Sequence, residues 1–79
     1  MKLGTEIRKA RLKAGMTQEE IAARAGVTRE YVSLLELGKR VPTVPVFVRL
    51  CRAMDISAPN FLAKLEDVLA SADRYSFRR

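Results

Sequence analysis

The residues best suited to recognise another molecule follow Thr28. Val32 and Leu35 are expected to face the core from a helix predicted to begin there. Because successive helical residues turn by about 100°, Arg29 and Glu30 then face outward. A guanidinium can pair bidentately with guanine, which gives ~1–3 kcal/mol of discrimination between bases, and a carboxylate can accept a hydrogen bond from cytosine N4. Arg29 could instead be a solvated surface arginine, and Glu30 an acidic residue that stabilises the N-terminus of the helix.

The same helix carries three further candidates, Tyr31, Ser33 and Leu34. With Val32 and Leu35 facing the core, Ser33, Leu34 and Leu37 also face outward. Leu34 could then contact a thymine methyl group. The alternative for Leu34 is a position at the rim of the core. Tyr31 lies at the edge of the buried side, where its hydroxyl could reach a phosphate while its ring packs. Simple packing is the alternative for Tyr31.

Residues 18–35 form the unit that positions these side chains. Apolar residues recur there at steps of three and four, which predicts two short helices facing one core. They are Ile21, Ala22, Ala25, Val27, Val32 and Leu35. Gly26 can adopt the left-handed conformation that ends a helix, and Thr28 can cap the next one. We therefore predict one helix over residues 18–25 and another that starts after Thr28 and runs to about Leu37, joined as a helix-turn-helix.

Helices are also predicted before and after this unit. The first runs over residues 3–14 and is followed by Gly15, a residue favoured just after a helix ends. Thr17 and Glu20 have the spacing of a capping box at the start of the second helix. Thr43 can cap a fourth helix.

A fifth helix is predicted over about residues 58–72, after Ser57 or Ala58. Phe61 and Leu62 are expected to complete the core. The remaining apolar residues exceed what a core of this size needs, and an exposed apolar stripe usually marks a partner surface. They are Leu65, Val68, Leu69 and Ala72. A two-fold homodimer would bury this stripe. It would also set the two copies of the helix after Thr28 about 34–36 Å apart, which is one turn of DNA.

The motif resembles the helix-turn-helix of the phage repressor and Cro family of transcription regulators. The resemblance extends from Ile7 to Met54, about two thirds of the chain. The matching residues are Thr17-Gln18, Ala22, Gly26-Val27, Val32, Leu35, Glu36 and Gly38-Lys39. It implies an all-α, five-helix bundle of the lambda-repressor-like DNA-binding type, with residues 1–79 as one domain and the helix-turn-helix at about 18–37.

The function that the resemblance implies is sequence-specific regulation of transcription. The partner would be double-stranded DNA with a palindromic operator, bound by a homodimer with the helix after Thr28 in the major groove. Small phage-type repressors, restriction-modification controller proteins and antitoxins have this profile. Short controller proteins are similar in length and carry a fifth helix for dimerisation.

The resemblance also implies roles for residues around the motif. Gln18 matches a family glutamine that meets the DNA backbone, whereas Arg11 and Glu36 match a partly buried, structural ion pair. Separately, helix N-termini attract anions, and basic loop residues can contact phosphates. The candidates for these phosphate contacts are Thr17, Thr28, Thr43, Lys39 and Arg40.

Composition is consistent with a nucleic-acid partner. Fifteen Lys and Arg and nine Asp and Glu give a net charge of +6, and residues 1–54 carry all of this excess. The absence of histidine, together with a single cysteine, Cys51, excludes a Cys/His zinc site within one chain. Cys51 is expected in the core. We expect no cofactor and no enzymatic activity, because the sequence has no paired-carboxylate site and no glycine-rich phosphate loop.

No apolar run is long enough to cross a membrane, and the N-terminus lacks a signal-peptide stretch, so a cytoplasmic protein is expected. The alternative function is a protein-interaction module, such as an antitoxin that sequesters a toxin, or a partner of another regulator. Outward-facing Leu34 and Leu37 and the long fifth helix favour that alternative. Salt dependence separates the two, because DNA binding through several phosphates weakens steeply as salt rises.

Overall fold

Five helices and no strand make up the part of the chain that the structure, a computed structural model, describes, residues 3–65. The helices are α1 (Leu3–Lys13), α2 (Gln18–Ala25), α3 (Arg29–Glu36), α4 (Val44–Ala53) and α5 (residues 58–65). The all-α, five-helix prediction is confirmed, and the predicted bounds of α1, α2 and α3 are correct to within one residue. The part of the fifth helix predicted beyond residue 65 lies outside the described residues.

Side-chain caps begin the helices that surround the candidate site. The hydroxyl of Thr17 accepts a hydrogen bond from the Glu20 amide at 3.0 Å, and the Thr17 amide donates to the Glu20 carboxylate at 2.8 Å. This is the predicted capping box. The hydrogen bond from the Thr17 amide lowers the pKa of the Glu20 carboxyl below its ordinary value. Thr28 and Thr43 cap α3 and α4 in the same way, by accepting from the amides three residues later.

Two glycines allow the helices to approach each other. Gly26 ends α2 in the left-handed conformation, with φ of 73°, as predicted. Gly4 is buried where α1 crosses the end of α3. A Cβ atom on Gly4 would meet the Leu35 carbonyl oxygen and lie 2.7 Å from the Glu36 carbonyl oxygen. Only glycine therefore lets α1 pack at this distance from α3.

The core consists of two neighbouring clusters of apolar side chains. The first joins α2, α3 and α4 and contains Ile21, Ala22, Ala25, Val32, Leu35, Leu50, Ala53 and Met54. The second joins α1, α4 and α5 and contains Ile7, Phe47, Cys51, Phe61 and Leu65. The rings of Phe47 and Phe61 lie 5.5 Å apart between centroids. Cys51 is buried as predicted, and this burial raises the pKa of its thiol.

The structure corrects the predicted orientation of the fifth helix. The sequence predicts Leu65 on the dimer surface, but Leu65 is only 5% exposed and packs in the second core cluster. The sequence predicts Leu62 in the core, but Leu62 is 49% exposed. The reason is helical phase, because Leu65 lies four residues after the buried Phe61 and shares its face. Val68, Leu69 and Ala72 lie outside the described residues.

Candidate nucleic-acid interface

Helix α3 has a buried side and an outward side, as predicted. Val32 and Leu35 are 0% and 1% exposed and anchor the helix in the first core cluster. The side chains of Arg29 and Glu30 lie at the N-terminal end of the helix and are 50% and 75% exposed. A 3.8 Å ion pair joins them. Because solvent screens such a pair, the Arg29 guanidinium remains available for a bidentate partner.

A buried ion pair fixes the other end of α3. The Arg11 Nε atom donates to Glu36 Oε2 at 2.7 Å, and its Nη2 atom donates to Glu36 Oε1 at 3.1 Å. The two side chains are only 10% and 4% exposed. The third hydrogen bond of Arg11 goes to the Met16 carbonyl at 2.9 Å. These contacts confirm the predicted structural ion pair, and the hydrogen bond to Glu36 raises the pKa of Arg11.

Gln18 connects this ion pair to the outward side of α3. Its Nε2 atom donates to Glu36 Oε1 at 3.1 Å, and its Oε1 atom accepts from Arg29 Nη1 at 3.4 Å. Gln18 is half-buried. The side chains of Arg11, Glu36, Gln18 and Arg29 thus form one chain of hydrogen bonds. Sequence reasoning placed Gln18 at the DNA backbone and did not find this connection.

The loop after α3 is held to the helix by an aromatic contact. The guanidinium carbon of Arg40 lies 5.5 Å from the centre of the Tyr31 ring, within cation–π range. Tyr31 is half-buried, whereas Lys39 and Arg40 are exposed. Both basic residues therefore lie near α3 with their charges in solvent, where they could meet phosphates.

The other residues predicted to contact DNA differ in how far they are exposed to solvent. Exposed residues are Thr17, Thr28 and Thr43, and the hydroxyl of each accepts a hydrogen bond at a helix N-terminus. Ser33 and Leu34 are half-buried, so Leu34 is less exposed than predicted. Leu37 is 66% exposed, as predicted.

The structure also shows two exposed apolar residues outside the candidate interface. Val41 and Val44 are 71% and 76% exposed and lie in the loop after α3 and at the start of α4. Gly4 is a residue that sequence reasoning missed, and it holds α1 close to α3. Its spacing from Ile7 and Arg11, three and seven residues, was the available signal, since all three face the interior.

The part of the chain that the structure describes shows neither a metal site nor a membrane-spanning helix. Residues 3–65 contain no group of three or more His, Cys, Asp or Glu side chains that could hold a metal ion. None of the helices in this part of the chain is long and apolar enough to span a bilayer. What the candidate interface offers is the guanidinium donors of Arg29 at the outward end of α3 and the positive charges of Lys39 and Arg40 in the loop after it.

Comparison with known proteins identifies the same unit. A family profile described as helix-turn-helix matches residues 7–61. The HTH-type transcriptional regulator y4dJ of Sinorhizobium fredii is 40% identical over 55 residues, covering 70% of this chain and 71% of the relative.

Two restriction-modification controller proteins have similar solved structures. C.AhdI from Aeromonas hydrophila is 32% identical, with a TM-score of 0.72 over 76% of this chain and 91% of that chain. Wild-type C.Esp1396I is 28% identical, with a TM-score of 0.78 over 89% of this chain and 91% of that chain. The likeness therefore extends over the helices that carry the candidate interface.

Proposed function

The chain belongs to the helix-turn-helix family of DNA-binding transcriptional regulators, and we propose that it binds a palindromic operator as a homodimer with α3 in the major groove. The family consists of regulators rather than enzymes. The observation that carries the proposal is the orientation of α3. Its N-terminal end presents Arg29 to solvent, while Val32 and Leu35 lock the opposite side into the core.

Arg29 is proposed to read a guanine. In helix-turn-helix proteins the N-terminal residues of the second helix contact base edges, and arginine matches the O6 and N7 acceptors of guanine. The hydrogen bond from Arg29 to Gln18 limits the rotamers that the guanidinium can adopt before it meets DNA. Because Glu36 holds Gln18 in turn, the base contact would be made by a side chain that is already oriented.

Phosphate contacts would surround this base contact. Lys39 and Arg40 are exposed beside α3, and Tyr31 holds Arg40 there through its ring. Residues proposed to add phosphate contacts at the helix N-termini are Thr17, Gln18, Thr28 and Thr43. Glu30, Ser33 and Leu34 are proposed to face the bases instead. Phosphate contacts position the protein, and base contacts choose the sequence.

The homodimer is supported by the exposed Leu62 on α5. Its side chain is 49% exposed and, at about 100° per residue, is turned away from the buried Phe61. A partner surface there would pair two copies by a two-fold axis, as a palindromic operator requires. Val68, Leu69 and Ala72, which lie outside the described residues, are proposed as further dimer contacts. The likeness to two controller proteins supports a short regulator of this type.

One experiment tests DNA binding and separates it from the alternative. The affinity of the protein for mixed-sequence duplex DNA is measured at rising salt. Binding through several phosphates should give a steep linear fall of log K with log salt, at ~0.9 per phosphate contacted. Lys39→Gln should reduce this slope by about one contact, whereas Arg52→Gln, at the far end of α4, should not. Failure to detect a salt-sensitive complex with any duplex would overturn the proposal.

The second candidate function is a protein-interaction module, such as an antitoxin. It is favoured by three exposed apolar residues between the end of α3 and the start of α4, namely Leu37, Val41 and Val44. Exposed apolar side chains in one region can form a contact surface for a protein. An interface of this kind would bind in a nearly salt-independent manner, which is the opposite outcome of the same titration.

A further inference from the structure

An open groove lies between α1 and the start of α5, away from the outward side of α3. Its volume is about 610 Å³. Its apolar floor contains Ala10 of α1, Met54 and Ile56 of the connection after α4, and Phe61 of α5. Small-molecule sites are typically clefts of ~300–1,000 Å³ with a mostly apolar lining, so the size and floor suit a small organic body.

The rim of the groove is positively charged. Lys9 and Lys13 of α1 and Lys64 of α5 line it, against one acidic residue, Glu6. Glu6 pairs with Lys9 at 3.6 Å. Within residues 3–65, neither Lys13 nor Lys64 has an ion-pair partner. The lining therefore has three positive charges and one negative charge, a net of +2 that faces the same space as the apolar floor.

This groove is separate from the surfaces assigned above. None of its lining residues belongs to the proposed DNA interface. On α5, Phe61 and Lys64 are three residues apart and share a face, whereas Leu62 is turned by about 100° from Phe61. A ligand in the groove would consequently leave both α3 and the Leu62 side of α5 uncovered.

We propose that the groove binds a small amphipathic organic anion, with an aromatic or acyl body and a carboxylate or sulfonate group. The body would lie against Ala10 and Ile56, the half-buried residues of the floor, and the anionic group would lie between Lys13 and Lys64. Both features are required together. A neutral apolar molecule would leave the lysines unused, and a small inorganic anion would leave the apolar floor in water.

The test uses anilinonaphthalene sulfonate as the probe and its neutral analogue, phenylnaphthylamine, as the comparison. Fluorescence titration of the full chain should show tighter binding of the sulfonate than of the neutral molecule. Amide shifts in two-dimensional NMR should concentrate at Lys13, Asn60 and Phe61. Lys13→Gln/Lys64→Gln should weaken sulfonate binding by about tenfold, the effect expected from losing two partly exposed charge contacts.

The matched control is Arg8→Gln/Arg52→Gln, which removes the same charge from exposed positions outside the groove. It should bind the probe as the wild type does. Thermal unfolding of both double variants confirms that they are folded. Equal loss of binding in the two variants, equal affinity for the two probes, or amide shifts centred on Leu37 and Val41 would each overturn the proposal.

Discussion

Replacement of Arg11 by methionine gives the sharpest test of how α3 is held in place. Methionine keeps an apolar stem but removes three hydrogen bonds, two to Glu36 and one to the Met16 carbonyl. The Glu36 carboxylate, whose side chain is only 4% exposed, would keep Gln18 as its remaining side-chain donor. Removing one partner of a buried pair costs ~3–5 kcal/mol, because it leaves an uncompensated buried charge.

The assay is urea unfolding followed by circular dichroism, with a double-mutant cycle. Arg11→Met should lower the free energy of unfolding by ~3–5 kcal/mol, a large part of the ~5–15 kcal/mol that stabilises a domain. Arg11→Met/Glu36→Leu should recover most of this loss, because apolar replacement of both partners is often neutral. Lys9→Met is the control, since the Lys9 side chain is 70% exposed and its pair with Glu6 should contribute ~0–1 kcal/mol. A loss from Arg11→Met no larger than that from Lys9→Met would refute the reasoning.

Three further predictions each concern a single residue. Gly4→Ala should destabilise the fold by ~1–3 kcal/mol in the same unfolding assay, because its Cβ would meet the Leu35 carbonyl, while Thr5→Ala at an exposed neighbour should change little. The lowered pKa of Glu20 means that its contribution is present above the ordinary value of 4.5 and is lost as pH falls through the folded-state pKa. Glu20→Gln should therefore flatten the acid side of the melting temperature against pH; an unchanged slope would contradict the capping role. Leu62→Glu should shift sedimentation at micromolar concentration toward the monomer, and a monomeric wild type would refute the dimer.

Local chemistry made most of the helix-turn-helix predictable from sequence. Thr17, Glu20 and Gly26 act on backbone groups within a few residues, so their roles follow from spacing alone. The outward orientation of Arg29 follows from the buried pair Val32 and Leu35 in the same helix. These are interactions within one element or one turn.

Packing between elements could not be predicted in the same way. Apolar steps of three and four on the fifth helix allow either Leu62 or Leu65 to face inward, and the contact of Phe61 with Phe47 selects Leu65. The connection from Glu36 through Gln18 to Arg29 joins positions 11 and 18 residues apart. The sequence shows that these three residues are polar, but their contacts depend on how α2 crosses α3.

The most direct test of the account is selection of bound duplexes from a random pool, with the wild type and two variants. The account predicts an enriched palindrome, with Arg29→Ala losing its preference at one base pair in each half-site, worth ~1–3 kcal/mol, while its phosphate contacts persist. Arg52→Ala, an exposed arginine at the end of α4, should select the wild-type sequence. Selection of the same palindrome at full strength by Arg29→Ala would contradict the claim that the outward end of α3 reads DNA.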